Sequence, residues 1–476
     1  MKRLSALGFV SLLGGCVQGP DYVKPSVEVP PSYRFATQPD AVAQSPETAW
    51  WTGFGDRDLD NLVLEALANN RDLMIASGRV DEFAAILAGT RSQAFPQVGY
   101  GLSGSRARAS EEKLPPFVDP MSTSWTSVLS ASWELDLWGR IRRETEAARA
   151  NLFATEEART GVTLTIVSSV IASYMTLLDL DEQLRATDAT IVGRKHTVDL
   201  FQTRLDGGWI SEFEMSLARA EYESALAQRP FILQAIAVQE NALSVLIGRN
   251  PGPIARAQSL DALRAVAVPA GLPSELLIRR PDIRQAEQQL VASNALIGAA
   301  RALFFPRITL TSLFGFASSA LGNLFTGPAN TWSFTGDVAG PIYTGGGLTA
   351  AVDQAEARRD QSFANYEKVV QNAFRDVEDS LADLRHSAEL RETLVRRVAD
   401  LQRSVELARD RYENGYSDYL DVLDSERSLF NAQLQLASAR GDYERALVEL
   451  YRALGGDWTA GVPAPALTSP AARNGR

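Results

Sequence analysis

Cysteine and histidine are almost absent from this 476-residue chain, and a basic excess is lacking as well. A single cysteine, Cys16, excludes an intrachain disulfide framework and a metal site built from several cysteines. The two histidines, His196 and His386, disfavour a histidine-based metal centre and a Ser/His/Asp triad. The 47 basic residues are outnumbered by 58 acidic ones, and the net charge of −11 argues against nucleic-acid binding.

Signatures of catalysis are also missing. The sequence has no recognisable nucleophile–base pair or ligand cluster, and Gly345-Gly346-Gly347 lacks the lysine of a phosphate-binding loop. We therefore predict a protein that is not an enzyme and that has no cofactor and no metal. Hydrophobic residues make up 45% of the chain, which is too apolar for disorder.

The N-terminus has the pattern of a targeting signal. Two basic residues precede an apolar run over 4–13, which is too short to span a bilayer and is followed by two glycines and Cys16. This pattern resembles a bacterial lipobox. The resemblance implies a signal peptide at 1–15 and covalent diacylglycerol and N-acyl chains on Cys16, with Val17 favouring the outer membrane. An ordinary secretory signal is the alternative.

Proline-rich segments predict the ends of the domains. Six prolines lie between 17 and 50, so residues 16–58 are expected to form a lipid anchor and extended tether. Residues 253–272 are predicted to link two larger parts. Residues 459–476 are predicted to form a loosely ordered tail.

The chain repeats itself, with one set of matches at an offset of 210 residues and another at 207. The matches share aromatic, glycine and proline positions, among them Phe95-Pro96 with Phe305-Pro306, and Gly208-Trp209 with Gly415-Tyr416. Two structural repeats are predicted from this, at 59–252 and 273–458.

Each repeat is predicted to hold a helix, two strands, a very long helix, a tight turn and a returning helix. Residues 348–414 contain no glycine and no proline, so at 1.5 Å per residue they would form a rod of about 100 Å. Apolar residues at heptad spacing predict coiled-coil packing of such rods. The predicted helical hairpins are 140–247 and 348–454.

Four segments alternate between apolar and polar residues, which predicts strands at about 97–110, 124–138, 306–318 and 330–342. Their length and their terminal aromatic residues fit strands of a membrane barrel, although a soluble sheet with one buried face would alternate in the same way. Open strand edges cannot face lipid, and four strands cannot close a barrel. A membrane sheet of this kind would therefore need further copies of the chain, and three would supply twelve strands.

The sequence resembles the TolC-like outer-membrane factors, in particular the lipoprotein branch of multidrug (RND-type) efflux systems. The segments that carry the resemblance are Gly19-Pro20-Asp21-Tyr22, the strings at 277–284, 297–301, 304–308 and 420–429, and Ala453-Leu454-Gly455-Gly456. It implies a homotrimer of mixed class, all-α plus membrane β-barrel. A 12-stranded β-barrel in the outer membrane would continue as a 12-helix α-barrel tunnel across the periplasm.

The resemblance also implies partners and a function. The expected partners are outer-membrane lipid, a periplasmic adaptor (membrane fusion) protein and an inner-membrane RND-type transporter. The expected function is a passive exit duct of a tripartite efflux pump, for drugs or other small molecules. Metal-ion efflux, type I protein secretion and a periplasmic coiled-coil adaptor are the alternatives. Only five methionines are present, which argues against a metal role, and the four strands argue against an adaptor.

A gate at the end of the second hairpin is implied by the same resemblance. The matching positions are Leu420, Asp424 and Arg427, with Tyr412 on the facing arm. Asp424 and Arg427 lie three residues apart on one helix face, so they could pair within a chain or between chains. Three copies of Asp424 would form a cation-selective ring, whereas solvated surface charges are the plainer interpretation. Glu413 departs from the basic residue of the best-known relatives.

Adaptor docking is predicted at the two turns, because an exposed aromatic residue at a loop tip suggests a partner. The alternative is that the turn residues only reverse the chain. The predicted docking residues are Gly207, Gly208, Trp209, Ile210, Ser211, Gly415, Tyr416, Ser417 and Asp418.

Overall fold

The computed structural model describes residues 17–35, 50–115, 117–257, 259–264 and 273–456. The predicted signal peptide 1–15, the lipidation site Cys16 and the predicted tail 459–476 lie outside the described residues. The predicted tether and inter-repeat linker lie partly outside them.

Eight helices occupy most of the described chain. Their bounds are α1 (Arg57–Asn69), α2 (Arg71–Ser92), α3 (Arg140–Asp206), α4 (Glu212–Leu246), α5 (Pro273–Arg279), α6 (Pro281–Ala302), α7 (Gly347–Glu413) and α8 (Tyr419–Ala453). Helices α3 and α7 each have 67 residues, and α4 and α8 each have 35. The equal lengths mean that the two halves of the chain build the same hairpin twice.

In the part of the chain that the structure describes, four antiparallel strands form one sheet in the order β1-β2-β3-β4. Their bounds are β1 (Gln97–Arg108), β2 (Met121–Leu135), β3 (Arg307–Ser318) and β4 (Asn330–Ala339).

The strand ends differ from the prediction. The predicted 124–138 is wrong at both ends, since β2 starts and stops three residues earlier. Asp136 leaves the ladder because its carboxylate accepts the backbone N–H groups of Ile141 (3.0 Å) and Arg142 (2.9 Å) at the start of α3. The strand predicted over 330–342 stops at Ala339, before Pro341, which has no N–H to donate. β1 ends two residues before the predicted 110, and β3 starts at Arg307.

The strand register places one set of apolar side chains on a single face of the sheet. Neighbours across all four strands on this face are Tyr100, Leu129, Phe314 and Trp332. All four are exposed. A row on the opposite face is polar and consists of Glu134, Thr309 and Asp337. A sheet with one exposed apolar face is what a lipid-facing barrel wall requires.

The described chain divides into two compact units that do not coincide with the sequence repeats. The first contains residues up to 27 together with 78–157 and 285–368, and so holds the sheet and the helix ends that join it. The second contains 28–77, 158–284 and the chain from 369 onward, and so holds both hairpin turns. Each repeat contributes to both units. Its strands and the first part of its long helix belong to the first unit, and the rest of its hairpin belongs to the second.

The second unit holds a large cluster of buried apolar residues. Ile171, Tyr174 and Leu178 of α3 pack in one cluster with Trp50 and Phe54 of the segment before α1. Burying each such side chain contributes roughly 1.5–3 kcal/mol. By length and composition, α3 is the one described helix apolar enough to cross a membrane, but its apolar stretch contributes to this core.

Candidate functional site at the hairpin tips

Both hairpins turn with the same backbone geometry. Gly208 and Gly415 each have φ +76°, a left-handed conformation that glycine adopts at low cost. The N–H of Trp209 bonds to the carbonyl of Arg204 at 2.8 Å, and Tyr416 bonds to Arg411 at 2.8 Å. This six-to-one bond is the Schellman arrangement that ends helices. The chain therefore reverses direction at both predicted turns, and Gly208 and Gly415 make the reversal possible.

The predicted docking residues divide into exposed and internal groups. Trp209 is 84% exposed and Tyr416 is 78% exposed, although both are large and apolar. Ser211 instead caps α4, in a reciprocal capping box with Glu214. Ile210 packs against the apolar cluster inside the tips. The remaining predicted residues, Gly207, Ser417 and Asp418, complete the two turns, with Asp418 at the N-cap of α8.

Exposed apolar residues extend from each turn onto the following helix. Phe213 on α4 and Leu420 on α8 are both exposed, and each lies four residues after the exposed aromatic residue of its turn. Leu420, predicted as a gate residue, thus lies only four residues along the chain from the predicted docking residue Tyr416. Sequence reasoning missed Phe213, although its match with Leu420 at the 207-residue offset was a usable signal.

Tyr412, predicted as a gate residue, packs inside the tips. Its ring centroid lies 6.2 Å from that of Phe201 and 5.4 Å from that of Tyr419. Burial raises the pKa of the Tyr412 phenol, and the charge of Glu214 raises it further. Tyr412 therefore contributes to the contact between the two hairpins near their ends.

The predicted gate residue Arg427 pairs with an unpredicted residue, Glu221 of α4. Its Nε donates to Glu221 Oε1 at 2.6 Å, whereas the distance from Arg427 Nη1 to Asp424 Oδ1 is 3.9 Å. The hydrogen bond with Glu221 raises the pKa of the Arg427 guanidinium. The main partner of Arg427 is therefore on the other hairpin.

Glu221 also holds a second arginine. Arg194 of α3, whose side chain is 6% exposed, lies 3.1 Å from Glu221 Oε2 and donates to the Glu221 carbonyl at 2.6 Å. Burial lowers the pKa of Arg194, and the charges of Glu221 and Glu426 oppose that effect. The buried carboxylate of Glu221 is thus shared by one buried and one half-exposed guanidinium.

The side chain of Asp424 is 85% exposed, although its Oδ1 lies within 3.9 Å of Arg427 Nη1. A further ion pair lies within the second hairpin and joins Arg409 of α7 to Glu426 of α8, with Nε 3.0 Å from Oε1. Glu413, at the end of α7, is exposed. The tips therefore combine an internal network of ion pairs with an exposed acidic group.

Arg194 and Glu221 were missed because neither belongs to the motifs of the second hairpin. A positional signal exists nevertheless. Arg194 lies 13 residues before Gly207, and Glu221 lies 13 residues after Gly208, so an antiparallel hairpin must bring them level. Arg194 also falls between Ile191 and Val198, two apolar residues seven positions apart on the packed side of α3, where a charge needs a partner.

Comparison with known proteins decides the family. A family model described as outer membrane efflux protein matches residues 62–249 and 272–456. The chain belongs to this family. It is 36% identical over 456 residues to the solvent efflux pump outer membrane protein SrpC of Pseudomonas putida, covering 94% of this chain and 97% of SrpC.

Further relatives agree. The cation efflux system protein CusC of Escherichia coli is 37% identical over 452 residues, covering 94% of this chain and 96% of CusC. The crystal structure of the Neisseria gonorrhoeae MtrE outer membrane channel in its open state superposes with a TM-score of 0.84 at 32% identity, covering 93% of this chain and 98% of MtrE. The chain is therefore an outer-membrane efflux channel protein, in agreement with the family and location predicted from its sequence.

Metal binding has no candidate site in the part of the chain that the structure describes. Within those residues, no group of three or more histidine, cysteine, aspartate or glutamate side chains is arranged to hold a metal ion.

Proposed function

We propose that three copies of this chain form the passive exit duct of a tripartite efflux pump, with no catalytic step of its own. The sheet carries this proposal. Its apolar face is exposed, and β1 and β4 each have one edge that pairs with no strand among the described residues. Lipid does not tolerate open edges, so β4 of one copy would pair with β1 of the next. Three copies would close a barrel of twelve strands.

The long hairpins would extend this barrel as a tunnel of twelve helices. Each copy supplies four long helices, α3, α4, α7 and α8. Exposed apolar residues on helices of this length need neighbours, and other copies would provide them. The tunnel would open toward the periplasm at the hairpin tips.

The tips would serve as both gate and docking surface. The Arg427–Glu221 pair would hold the second hairpin against the first, and Asp424 from three copies would form an acidic ring that selects cations. Trp209 and Tyr416 would contact a periplasmic adaptor, since large exposed aromatic residues are the usual anchors of interfaces. An inner-membrane RND-type transporter would supply the drugs or other small molecules.

Membrane attachment would have two parts, the barrel and a lipid on Cys16. Native mass spectrometry of protein purified from outer membranes tests both assembly and lipidation. We expect a trimer in which every subunit begins at acylated Cys16. A monomer in mild detergent would contradict the shared barrel.

Transport is tested by co-expression with a drug transporter and its adaptor in cells that lack their own outer-membrane channel. We expect a fall in dye accumulation when this chain is supplied. A parallel copper-tolerance assay with a cation transporter distinguishes the metal-efflux alternative, since a response there without dye efflux would contradict the drug assignment.

A further inference from the structure

The first described residues of the chain are held by a buried arginine. Arg143, near the start of α3, has a side chain that is only 6% exposed. Its Nε donates to the carbonyl of Gln18 at 3.0 Å, and its Nη2 donates to the carbonyl of Gly19 at 3.3 Å and to Asp21 Oδ1 at 2.8 Å. Glu146 accepts from Nη1 at 2.8 Å. The guanidinium of Arg143 thus donates four hydrogen bonds, and three of them go to residues 18–21.

Helix α6 holds the same segment from another side. Gly19 has φ +90°, and a Cβ built on it would lie 2.4 Å from the Cα of Gly298, so the two backbones touch. The Nδ2 of Asn294 donates to the carbonyl of Pro20 at 3.0 Å. The contact leaves no space for a side chain on either glycine.

Two further contacts continue along α6. Lys24 Nζ lies 2.7 Å from Glu287 Oε2, and the Tyr22 hydroxyl donates to Glu287 Oε1 at 3.4 Å. The string Gly19-Pro20-Asp21-Tyr22 therefore makes a contact at every residue. We call residues 17–24 the strap.

The first residues of the strap lie against the connection between β2 and α3. The N–H of Gln18 donates to the carbonyl of Trp138 at 3.1 Å, and Val17 lies against Gly139, which has φ +79°. Trp138 is itself fixed, because its ring stacks on Phe305 at 4.7 Å and its Nε1 donates to the carbonyl of Pro306 at 2.7 Å. The start of the strap is thus tied to the helix-connected edge of the sheet.

We infer that the strap is a clamp that holds the start of the mature chain at this edge of the sheet, with Arg143 as its positioning residue. The inference rests on the proposed lipidation of Cys16. Because Cys16 is bonded directly to Val17, the clamp brings the attached acyl chains into the bilayer beside the barrel wall. The acyl chains and the barrel wall would then insert into the membrane side by side.

The energetics favour a fixed clamp over a loose tether. If the strap dissociated, Arg143 would keep Glu146 but would lose two carbonyls and one carboxylate as hydrogen-bond partners. Bonds from a charged donor are the strong class, and the planar fork of arginine satisfies several acceptors together. Lysine cannot reproduce that geometry.

Carbodiimide cross-linking in isolated outer membranes tests the clamp, because it joins an amine to a carboxylate only where the two already touch. The chain has four lysines after Cys16, at 24, 113, 195 and 368, so a Lys24–Glu287 product is readily identified in a peptide digest by mass spectrometry. We expect this product in the wild type and a yield about tenfold lower in Arg143→Ala. Arg301→Ala is the matched control, since Arg301 pairs with Glu356 and should leave the yield unchanged.

Arg143→Lys guards against a folding defect, because it keeps the positive charge beside Glu146. We expect it to lower the yield as well, with an unchanged circular dichroism spectrum. A wild type without the product, or full yield in both Arg143 variants, would overturn the inference. The mass of the N-terminal peptide is read separately, so an unacylated Cys16 would overturn the proposed lipid anchor while the cross-link still decides the clamp.

Discussion

Arg427 donates to Glu221 at 2.6 Å and so joins the second hairpin of the chain to the first. Glu221 is buried and also holds the buried Arg194, whereas Arg427 is half exposed. The two arginines are therefore not equivalent. Arg194 is a fixed part of the first hairpin, and Arg427 can leave without stranding an unpaired buried charge. A contact with this asymmetry is compatible with the proposed gate, which has to open and close.

The asymmetry predicts unequal effects of two substitutions. Among the described residues, Glu221 is the one carboxylate that forms an ion pair with buried Arg194, so Glu221→Ala should lower the free energy of unfolding by about 3–5 kcal/mol. Arg427→Ala leaves Glu221 paired with Arg194 and should cost about 1 kcal/mol or less. Chemical unfolding followed by circular dichroism in detergent measures both.

Arg403→Ala is the control for this pair, because Arg403 on α7 makes an exposed local pair with Glu406. It should change stability by less than about 0.5 kcal/mol. Equal losses for Glu221→Ala and Arg427→Ala would contradict the shared-carboxylate account.

The exposed aromatic residues of the turns predict a loss of partner binding without a loss of folding. Trp209→Ala and Tyr416→Ala should each weaken adaptor binding by about 2 kcal/mol, or roughly 30-fold in Kd, as expected for central aromatic anchors. The stability of the channel should not change. Surface-immobilised adaptor and purified channel give the affinity directly.

Phe231→Ala provides a matched control, since Phe231 is also exposed and apolar but lies in the middle of α4. Adaptor binding should survive this change. If Phe231→Ala weakened binding as much as Trp209→Ala, the docking surface would not be confined to the tips.

The two faces of the sheet predict opposite responses to a charge. Leu129→Arg places a cation on the apolar exposed face and should cost about 2–4 kcal/mol if that face meets lipid. Ser130→Arg, on the neighbouring position of the opposite face, should cost much less. Folding into lipid vesicles, followed by electrophoretic mobility, compares the two, and equal costs would argue against a lipid-facing wall.

Replacing Glu444 of α8 with glutamine is predicted to increase stability in a pH-dependent way. Burial raises its pKa, and the charge of Arg391 opposes the shift only in part. A carboxyl group with a raised folded pKa contributes most below its unfolded value of 4.5, and that contribution is lost as the pH rises through the folded pKa. Glu444→Gln should therefore raise the unfolding midpoint at neutral pH, with the gain vanishing below pH 4.5. The exposed Glu406→Gln should give no such gain, and a loss of stability in Glu444→Gln at neutral pH would contradict the account.

The sequence was sufficient for features that rest on periodicity. The 67-residue helices, the glycine turns and the alternating strands all follow from local patterns that tertiary packing did not override. Strand ends were less predictable, because the end of β2 depends on Asp136 capping α3, and a capping contact is not visible in an alternating pattern.

Contacts between hairpins were harder still. The motif around Arg427 pointed to Asp424, three residues away, whereas the closer partner is Glu221, 206 residues earlier in the chain. The one signal in the sequence was that Arg194 and Glu221 lie equally far from the first turn, which indicates that Glu221 faces an arginine inside the tips. Likewise, the tether prediction for 16–58 did not show that residues 17–24 are bound, because Arg143 lies more than 100 residues away.

Single-channel conductance in planar bilayers tests the central claim most directly. We expect the wild-type trimer to conduct weakly and with cation selectivity, because the hairpin tips are held together. Arg427→Ala should raise the conductance severalfold, and Arg403→Ala should leave it unchanged. Folded, trimeric protein that conducts nothing in any of these forms would contradict the assignment of a channel gated at its hairpin tips.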